Sequence, residues 1–196
     1  MTDPAPRVPQ ITDAERTADV QKMFAAMSGV TERKMDVTKQ YVLKTFAQYP
    51  ALTEPYLIFN RHLLSTSVLP VRLRQIAILR IAWMRAARYM WASHLRLSLE
   101  CGLVAQDFEA IKAGPEASHW STSERSIVRA VDQLCVQSDL DDANWQALSA
   151  HLDRRQIMDL LFTVGAYVLL GMTLNAMRVQ REPELQELAK TYGSPG

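Results

Sequence analysis

The chain has 196 residues, a length typical of one domain or of one domain with arms. Its hydrophobic fraction of 48% and charged fraction of 22% are ordinary for a globular protein and exclude a disordered chain. The net charge of +1 gives no reason to expect nucleic acid or a membrane surface as a partner. Cys101 and Cys135 are too few for a disulfide framework and lack metal-binding spacing, and there is no signal peptide. We therefore expect a cytoplasmic protein without a bound metal.

Local signals predict helices along most of the chain and no strand. Residues 1–11 include three prolines and are predicted to form a flexible arm. Residues 12–182 are predicted to form a single helical domain, and residues 183–196 a loose tail. Capping boxes, glycines and prolines set the helix ends. The predicted helices cover residues 12–29, 37–48, 51–65, 87–101, 104–113, 122–137, 141–150 and 153–179, and one more begins at Pro70.

The resulting prediction is an all-α fold. A repeated Arg-Gln-Ile sequence, at residues 74–76 and again at 155–157, is consistent with two related helical halves. Residues 160–177 carry no charge, but they are at the short end for a bilayer and include several polar side chains. We expect this segment to lie in the protein core or in a subunit interface, not in a membrane.

Between Pro55 and Leu99 the chain has no aspartate, glutamate or lysine but many arginines. The seven arginines of this stretch are Arg61, Arg72, Arg74, Arg80, Arg85, Arg88 and Arg96. Guanidinium groups bind carboxylates in a bidentate manner, so the stretch is suited to an anion site. Alternatively, these arginines pair with acidic residues elsewhere in the chain, such as Glu109, Glu116, Asp132 or Asp139, or extend along the surface.

Two polar residues interrupt apolar helix faces and are candidates for chemistry. His94 lies on the inner face of its helix, between Met90 and Leu97, where an imidazole can pass protons near neutral pH. Gln75 lies where an apolar residue is expected, and a buried amide requires hydrogen-bond partners. Both residues also fit purely structural roles, His94 as a core histidine and Gln75 as a clamp between helices. The two cysteines are interpreted as small hydrophobic residues.

Several spaced motifs together resemble the carboxymuconolactone decarboxylase family, which shares the alkyl hydroperoxidase D-like fold. The motifs lie at residues 69–80, 89–94 and 101–103, with further matches at 114–115, 120–121, 141–145 and 163–175. The resemblance covers residues 45–182. It implies an all-α fold of two related helical halves and homo-oligomers, trimers or hexamers or possibly dimers, with sites near subunit interfaces. It also implies cofactor-free lyase activity in the catabolism of aromatic compounds.

The chain departs from the family pattern at the residues that carry chemistry. Relatives with peroxidase activity have a CxxC pair followed by histidine, but the two cysteine positions are Ala87 and Met90 in this chain. A dithiol peroxidase mechanism is therefore not expected. The family usually has glutamate at the position of Gln75, and many long members have another at Met90. Only His94 remains of the usual acid–base set.

The leading hypothesis is a cofactor-free enzyme that decarboxylates, opens or isomerises a small carboxylic acid or lactone. His94 would act as general acid or base, and Gln75 would hydrogen-bond either the substrate or His94. An arginine would hold the substrate carboxylate, and aromatic and thioether side chains would line the pocket. The candidate binding residues are Arg72, Arg74, Arg80, Tyr89, Met90 and Trp91. The alternative is a catalytically degenerate member that binds a small molecule or serves in assembly; no cofactor, nucleic acid or membrane is expected in either case.

Overall fold

The computed structural model describes residues 3–27 and 37–196. Within these ranges the chain forms ten α-helices and no strand, which confirms the predicted all-α class. The helices are α1 (Ala18–Ala26), α2 (Tyr41–Phe46), α3 (Pro50–Ser65), α4 (Val71–Met84), α5 (Arg88–Glu100), α6 (Ala105–Ala113), α7 (Thr122–Gln137), α8 (Asp142–Ser149), α9 (Arg154–Met177) and α10 (Pro183–Tyr192). Two short 3₁₀ turns, Asp13–Glu15 and Val37–Lys39, precede α1 and α2.

The residues group into two compact units. The first unit comprises the described residues up to Ser67 together with Ala176–Glu182, and the second comprises Val68–Asn175 together with Pro183–Gly196. All the candidate site residues lie in the second unit. The predicted domain limits at residues 12 and 182 stay predictions.

In the first unit, the N-terminal residues make fixed contacts. The Ile11 N–H donates to the carbonyl of Lys44 at 3.1 Å, and the side chain of Ile11 is buried. Asp3 forms an ion pair of 2.6 Å with Arg181. These long-range contacts hold the described part of the segment in which a flexible arm was predicted.

The first two predicted helices begin later than expected. The Thr12–Glu15 capping box is present, but it opens only a 3₁₀ turn, and α1 begins after Thr17, whose side chain accepts from the Val20 N–H. The predicted end of this helix at Gly29 lies outside the described residues. The helix predicted from Val37 begins at Tyr41, because the Tyr41 N–H donates to the carboxylate of Glu182 at 2.7 Å, which serves as a cap.

In the second unit, the helix ends predicted from local sequence signals lie close to those in the structure. The capping boxes at Ser121 and Asp153 form as predicted, with reciprocal hydrogen bonds to Glu124 and Gln156. Gly114 ends α6 with a φ of +97°, a conformation that favours glycine. A Cβ atom there would also lie only 3.0 Å from the guanidinium of Arg80.

Residues 183–192 form α10 in place of the predicted loose tail. Leu185 and Ala189 are buried on one face of this helix. Its end is held by tertiary contacts, since the Trp91 indole N–H donates to the Gly193 carbonyl at 2.9 Å and the Tyr192 ring packs on Phe108 with centroids 5.1 Å apart. These contacts join residues that lie 102 and 84 positions apart in the chain, so the local composition of the tail gave no sign of them.

The long helix α9 has two different faces. By length and composition it could cross a membrane, but the core helix of a soluble protein passes the same test. Its inner side is buried through residues such as Leu160, Tyr167 and Leu174. On its outer side Met158, Phe162, Leu169 and Met172 are each at least half exposed, and Gly165 has open space beside it.

Candidate active site

Three polar side chains meet between α4 and α5, inside the second unit. The Nδ1 atom of His94 lies 2.9 Å from Oε1 of Gln75, and the Ser98 hydroxyl donates to the same oxygen at 3.3 Å. All three side chains are buried, with exposures of 5% or less. The hydrogen bond between Gln75 and His94 is one of the two roles that the sequence left open for Gln75. Ser98 was missed, although it lies one helical turn after His94 on the same face of α5.

This arrangement defines which nitrogen carries the proton in the neutral imidazole. The amide oxygen of Gln75 only accepts, so Nδ1 of His94 carries the ring proton and donates it. In the neutral ring, Nε2 therefore keeps its lone pair. Because the Ser98 hydroxyl donates to the same amide oxygen, Gln75 is held from two sides and fixes the ring of His94. Nε2 is the atom of this centre that can accept a proton.

The electrostatic environment favours the neutral ring. Burial, followed by the positive charges of Arg74 and Arg96, lowers the pKa of His94 to about 3. Arg74 is itself only 6% exposed, and burial lowers its pKa as well. A glutamate at position 75 would favour the imidazolium, whereas the glutamine does not. The centre thus combines a neutral imidazole with a buried positive charge, a combination suited to an anion.

The helix α9 closes one side of the centre. The Tyr167 ring packs edge-on against the His94 ring, with centroids 5.2 Å apart. Further along, a Cβ atom on Gly171 would lie 3.3 Å from the Cβ of Ala87 and 3.5 Å from the Cε of Met90. The two positions at which the family resemblance would place cysteines, residues 87 and 90, therefore carry a methyl and a thioether packed against α9, and neither group can form a disulfide.

Two of the predicted substrate arginines have other partners. Arg72 binds Asp107 through both terminal nitrogens, at 2.5 and 3.2 Å, and Glu124 through Nε at 2.7 Å. Arg80 forms a two-point ion pair with Asp132, at 2.7 and 2.8 Å, and also donates to two backbone carbonyls at the end of α6. For Arg72 and Arg80 the structure thus shows the alternative interpretation, in which the arginines form ion pairs with acidic residues of the chain. The third predicted arginine, Arg74, is the one whose positive charge lowers the pKa of His94.

The residues that were predicted to line a pocket lie in different surroundings. Trp91 is fully buried in the core, where its ring packs on Trp83 and Phe108 with centroids 5.1 and 6.5 Å apart, so it serves packing. Met90 is 1% exposed and lies beside Gly171, one turn from His94. Tyr89 is 7% exposed.

The remaining polar groups bear on cofactor and thiol chemistry. Within the part of the chain that the structure describes, no group of three histidine, cysteine or acidic side chains could hold a metal ion. Burial raises the pKa of the thiols of Cys101 and Cys135, which disfavours the reactive thiolate.

A second polar centre, around Asp107, was not predicted. Its carboxylate accepts hydrogen bonds from Arg72, from the imidazole of His119 at 2.8 Å and from the Val104 N–H at 2.8 Å, and it is almost completely buried. The sequence signal that was available is the aspartate in the first turn of α6, three residues after Val104. The network ties the start of α4, which carries Gln75, to α6.

Comparison with known proteins gives the fold. No protein-family model matches the chain, and no curated protein matches it. A peroxidase-related protein from Ralstonia eutropha, described as an alkylhydroperoxidase AhpD core, matches with a TM-score of 0.74 and 16% identity over 93% of this chain and 95% of that chain. The debrominase Bmp8 in complex with 2,3,4-tribromopyrrole matches with a TM-score of 0.73 and 14% identity over 97% and 99%. A peroxidase-related protein from Silicibacter matches with 0.72 and 15% over 97% and 98%.

These likenesses define an AhpD-like helical fold over nearly the full length of the chain. The fold expected from the sequence is thereby confirmed. Membership of the carboxymuconolactone decarboxylase family stays a prediction, because identities of 14–16% show the fold alone.

Proposed function

We propose that the centre formed by Gln75, His94 and Arg74 binds a small organic carboxylate or lactone and moves a proton in a cofactor-free lyase or isomerase reaction. The observation that carries this proposal is the 2.9 Å hydrogen bond between Gln75 and Nδ1 of His94, which leaves Nε2 as a base that is exposed to the positive charge of the buried Arg74. Bmp8, which shares the fold, is crystallised with a small aromatic ring, and this supports a small-molecule enzyme.

Binding of the substrate would also correct the weak basicity of His94. A general base works best when its pKa is near the working pH, and a pKa of about 3 is too low for this. A carboxylate bound to Arg74 offsets one of the positive charges that depress this pKa. The base strength of Nε2 therefore rises when the substrate binds.

The chemistry then requires only the residues of this chain. In an isomerisation, Nε2 takes a proton from a carbon next to a carbonyl group, the electron pair delocalises into that carbonyl, and the imidazolium returns the proton to another carbon. In a decarboxylation, the electrons of the breaking carbon–carbon bond enter the conjugated carbonyl as CO₂ leaves. An imidazolium formed by proton uptake with the bound anion then protonates the carbon.

The test is a comparison of binding and turnover. Benzoate serves as a minimal aromatic carboxylate in calorimetry, and γ-lactone acids serve as substrates in a CO₂-release and isomerisation assay. We expect Arg74→Gln to weaken benzoate binding about tenfold or more, equivalent to about 1.4 kcal/mol. Arg129→Gln, which removes an exposed arginine paired with Glu116, is the matched control and should bind normally. His94→Gln should lower turnover about 10²–10⁴-fold while benzoate still binds.

The alternative is a degenerate family member that binds its ligand without turnover. The specific observation in its favour is that Gln75 cannot accept a proton where the family usually has glutamate. Benzoate binding by the wild type without turnover of any lactone acid favours this alternative. Absence of benzoate binding, or equal binding by Arg74→Gln, contradicts the proposed site itself.

We further propose that the chain forms a homo-oligomer through the outer face of α9. Met158, Phe162, Gly165, Leu169 and Met172 recur at alternating intervals of four and three residues, which is the seam of a coiled coil. A second copy of the same face would bury these side chains. Each large side chain contributes about 1.5–3 kcal/mol when fully buried.

A double substitution on this face should therefore dissociate the assembly. We expect Leu169→Glu with Met172→Glu to reduce the mass measured by light scattering to that of the 22.2 kDa monomer. Val136→Glu, which alters an equally apolar side chain that is 75% exposed on α7, should leave the mass unchanged. A monomeric wild type contradicts the proposal.

A further inference from the structure

Thr163 has a buried hydroxyl group whose hydrogen-bonding capacity is unused. Its side chain is completely buried, and its Oγ1 atom makes no hydrogen bond to the described residues. Leaving a buried polar group unsatisfied is unfavourable for folding. Such an atom in a native structure therefore requires an explanation, and one explanation is a bound molecule.

Thr163 differs in this respect from another threonine of the same helix. A helical threonine commonly satisfies its hydroxyl by donating to the carbonyl four residues earlier. Thr173 does this in α9, with a distance of 2.8 Å to the carbonyl of Leu169. Thr173 thus shows that a threonine hydroxyl in α9 can donate to a backbone carbonyl of the same helix. Thr163 does not form this hydrogen bond.

The register of α9 against α5 indicates where Thr163 lies relative to the candidate active site. Gly171 faces Met90 and Ala87, and Tyr167 faces His94. The two helices therefore run antiparallel at this contact. One further turn in each helix brings Thr163 to the level of Ser98, whose hydroxyl donates to Gln75.

We propose that Thr163 donates its hydroxyl to an oxygen atom of the molecule bound at the candidate active site, either a carboxylate oxygen or the carbonyl oxygen of a lactone. This inference rests on the proposed function and adds a specificity-determining group to it. Thr163 on α9 would then contact one end of the ligand, and the centre on α4 and α5 the other. A ligand without an oxygen acceptor, such as a plain hydrocarbon or a haloarene, would leave the hydroxyl unsatisfied and is selected against.

The test compares Thr163→Val, Thr163→Ser and Thr173→Val in the full chain, with benzoate as the probe. Valine removes the hydroxyl while keeping the branched shape. In the free protein we expect Thr163→Val to raise Tm by about 2–4 °C, because the unsatisfied group is gone. The same variant should weaken the Kd for benzoate about tenfold. Thr163→Ser should retain the wild-type Kd, and Thr173→Val should leave the Kd unchanged.

Each outcome decides a different point. A lower Tm for Thr163→Val shows that the hydroxyl already has a hydrogen-bond partner in the free protein, for example an ordered water molecule. This result overturns the inference that the hydroxyl is reserved for a ligand. A normal Kd for Thr163→Val, together with a weakened Kd for Arg74→Gln, overturns the role of Thr163 and leaves the proposed function standing. Absence of benzoate binding to the wild type overturns both.

Discussion

The free energy of unfolding is expected to fall steeply as the pH drops below 6.5, because His94 cannot be protonated easily in the folded state. Its pKa is lowered from 6.5 to about 3 in the folded protein. Between these two values the unfolded chain binds the proton and the folded chain does not. Stability is therefore fully present above pH 6.5 and is lost by about 1.4 kcal/mol per pH unit on the way down.

The measurement is denaturant unfolding at several pH values between about 5.5 and 7, above the range in which most acidic side chains titrate. His94→Gln removes the titrating group, so its unfolding free energy should be nearly independent of pH in this interval. His151→Gln is the control, because it removes an exposed histidine and should retain the wild-type slope. A wild-type protein without this slope contradicts the buried, neutral imidazole.

The same slope tests the role of the amide at position 75. Gln75→Glu places a carboxylate within hydrogen-bonding distance of Nδ1, and an opposite charge this close raises a histidine pKa by about 1–3 units. The folded state of this variant then accepts the proton at higher pH. The unfolding free energy should therefore stop falling at a pH closer to neutrality than in the wild type. An unchanged profile in Gln75→Glu would mean that residue 75 does not control the charge of His94.

The sequence predicted the helices of the second unit well because residues close to each helix end determine where that helix begins or ends. Gly114 ends α6, and the boxes at Ser121 and Asp153 open α7 and α9, each through contacts within a few residues. The predicted helix limits are wrong where a residue distant in the sequence determines the helix end. Glu182 caps α2 at Tyr41, and Trp91 holds the end of α10 at Gly193, so local patterns could not reveal either limit.

The same distinction explains which parts of the site could be predicted. His94 and Gln75 were found because each interrupts the apolar face of its own helix, and this is visible in one segment. The choice among the arginines was not visible, because it depends on where Asp107 and Asp132 lie in space. Charge composition predicted that the arginines need anions, but only the tertiary structure shows that Arg72 and Arg80 obtain them from the protein.

Replacing Asp107 by asparagine is expected to be the most destabilising single substitution in the network around Arg72. The variant removes the ion pair with Arg72, the bond to His119 and the charge that caps the start of α6. Breaking a buried ion pair costs about 3–5 kcal/mol. Because 39% of the Arg72 side chain is exposed, solvent screens part of this loss, and we expect about 2–3 kcal/mol.

The control is Glu116→Gln, which breaks an ion pair with Arg129 in which both side chains are exposed. That substitution should cost less than about 0.5 kcal/mol, as surface pairs do. Equal losses for the two variants would contradict a central role for Asp107.

The pH dependence of this difference separates the two networks of the second unit. Burial alone would raise the pKa of Asp107, but its hydrogen bonds with Arg72, the Val104 N–H and His119, together with the charge of Arg72, lower it from 3.8 to about 2. The contribution of Asp107 is thus present above pH 3.8 and is lost as the pH falls toward 2. The unfolding free energies of the wild type and Asp107→Asn should therefore converge in that range. Above about pH 5.5 both proteins should share the slope due to His94, because that ring belongs to the other network.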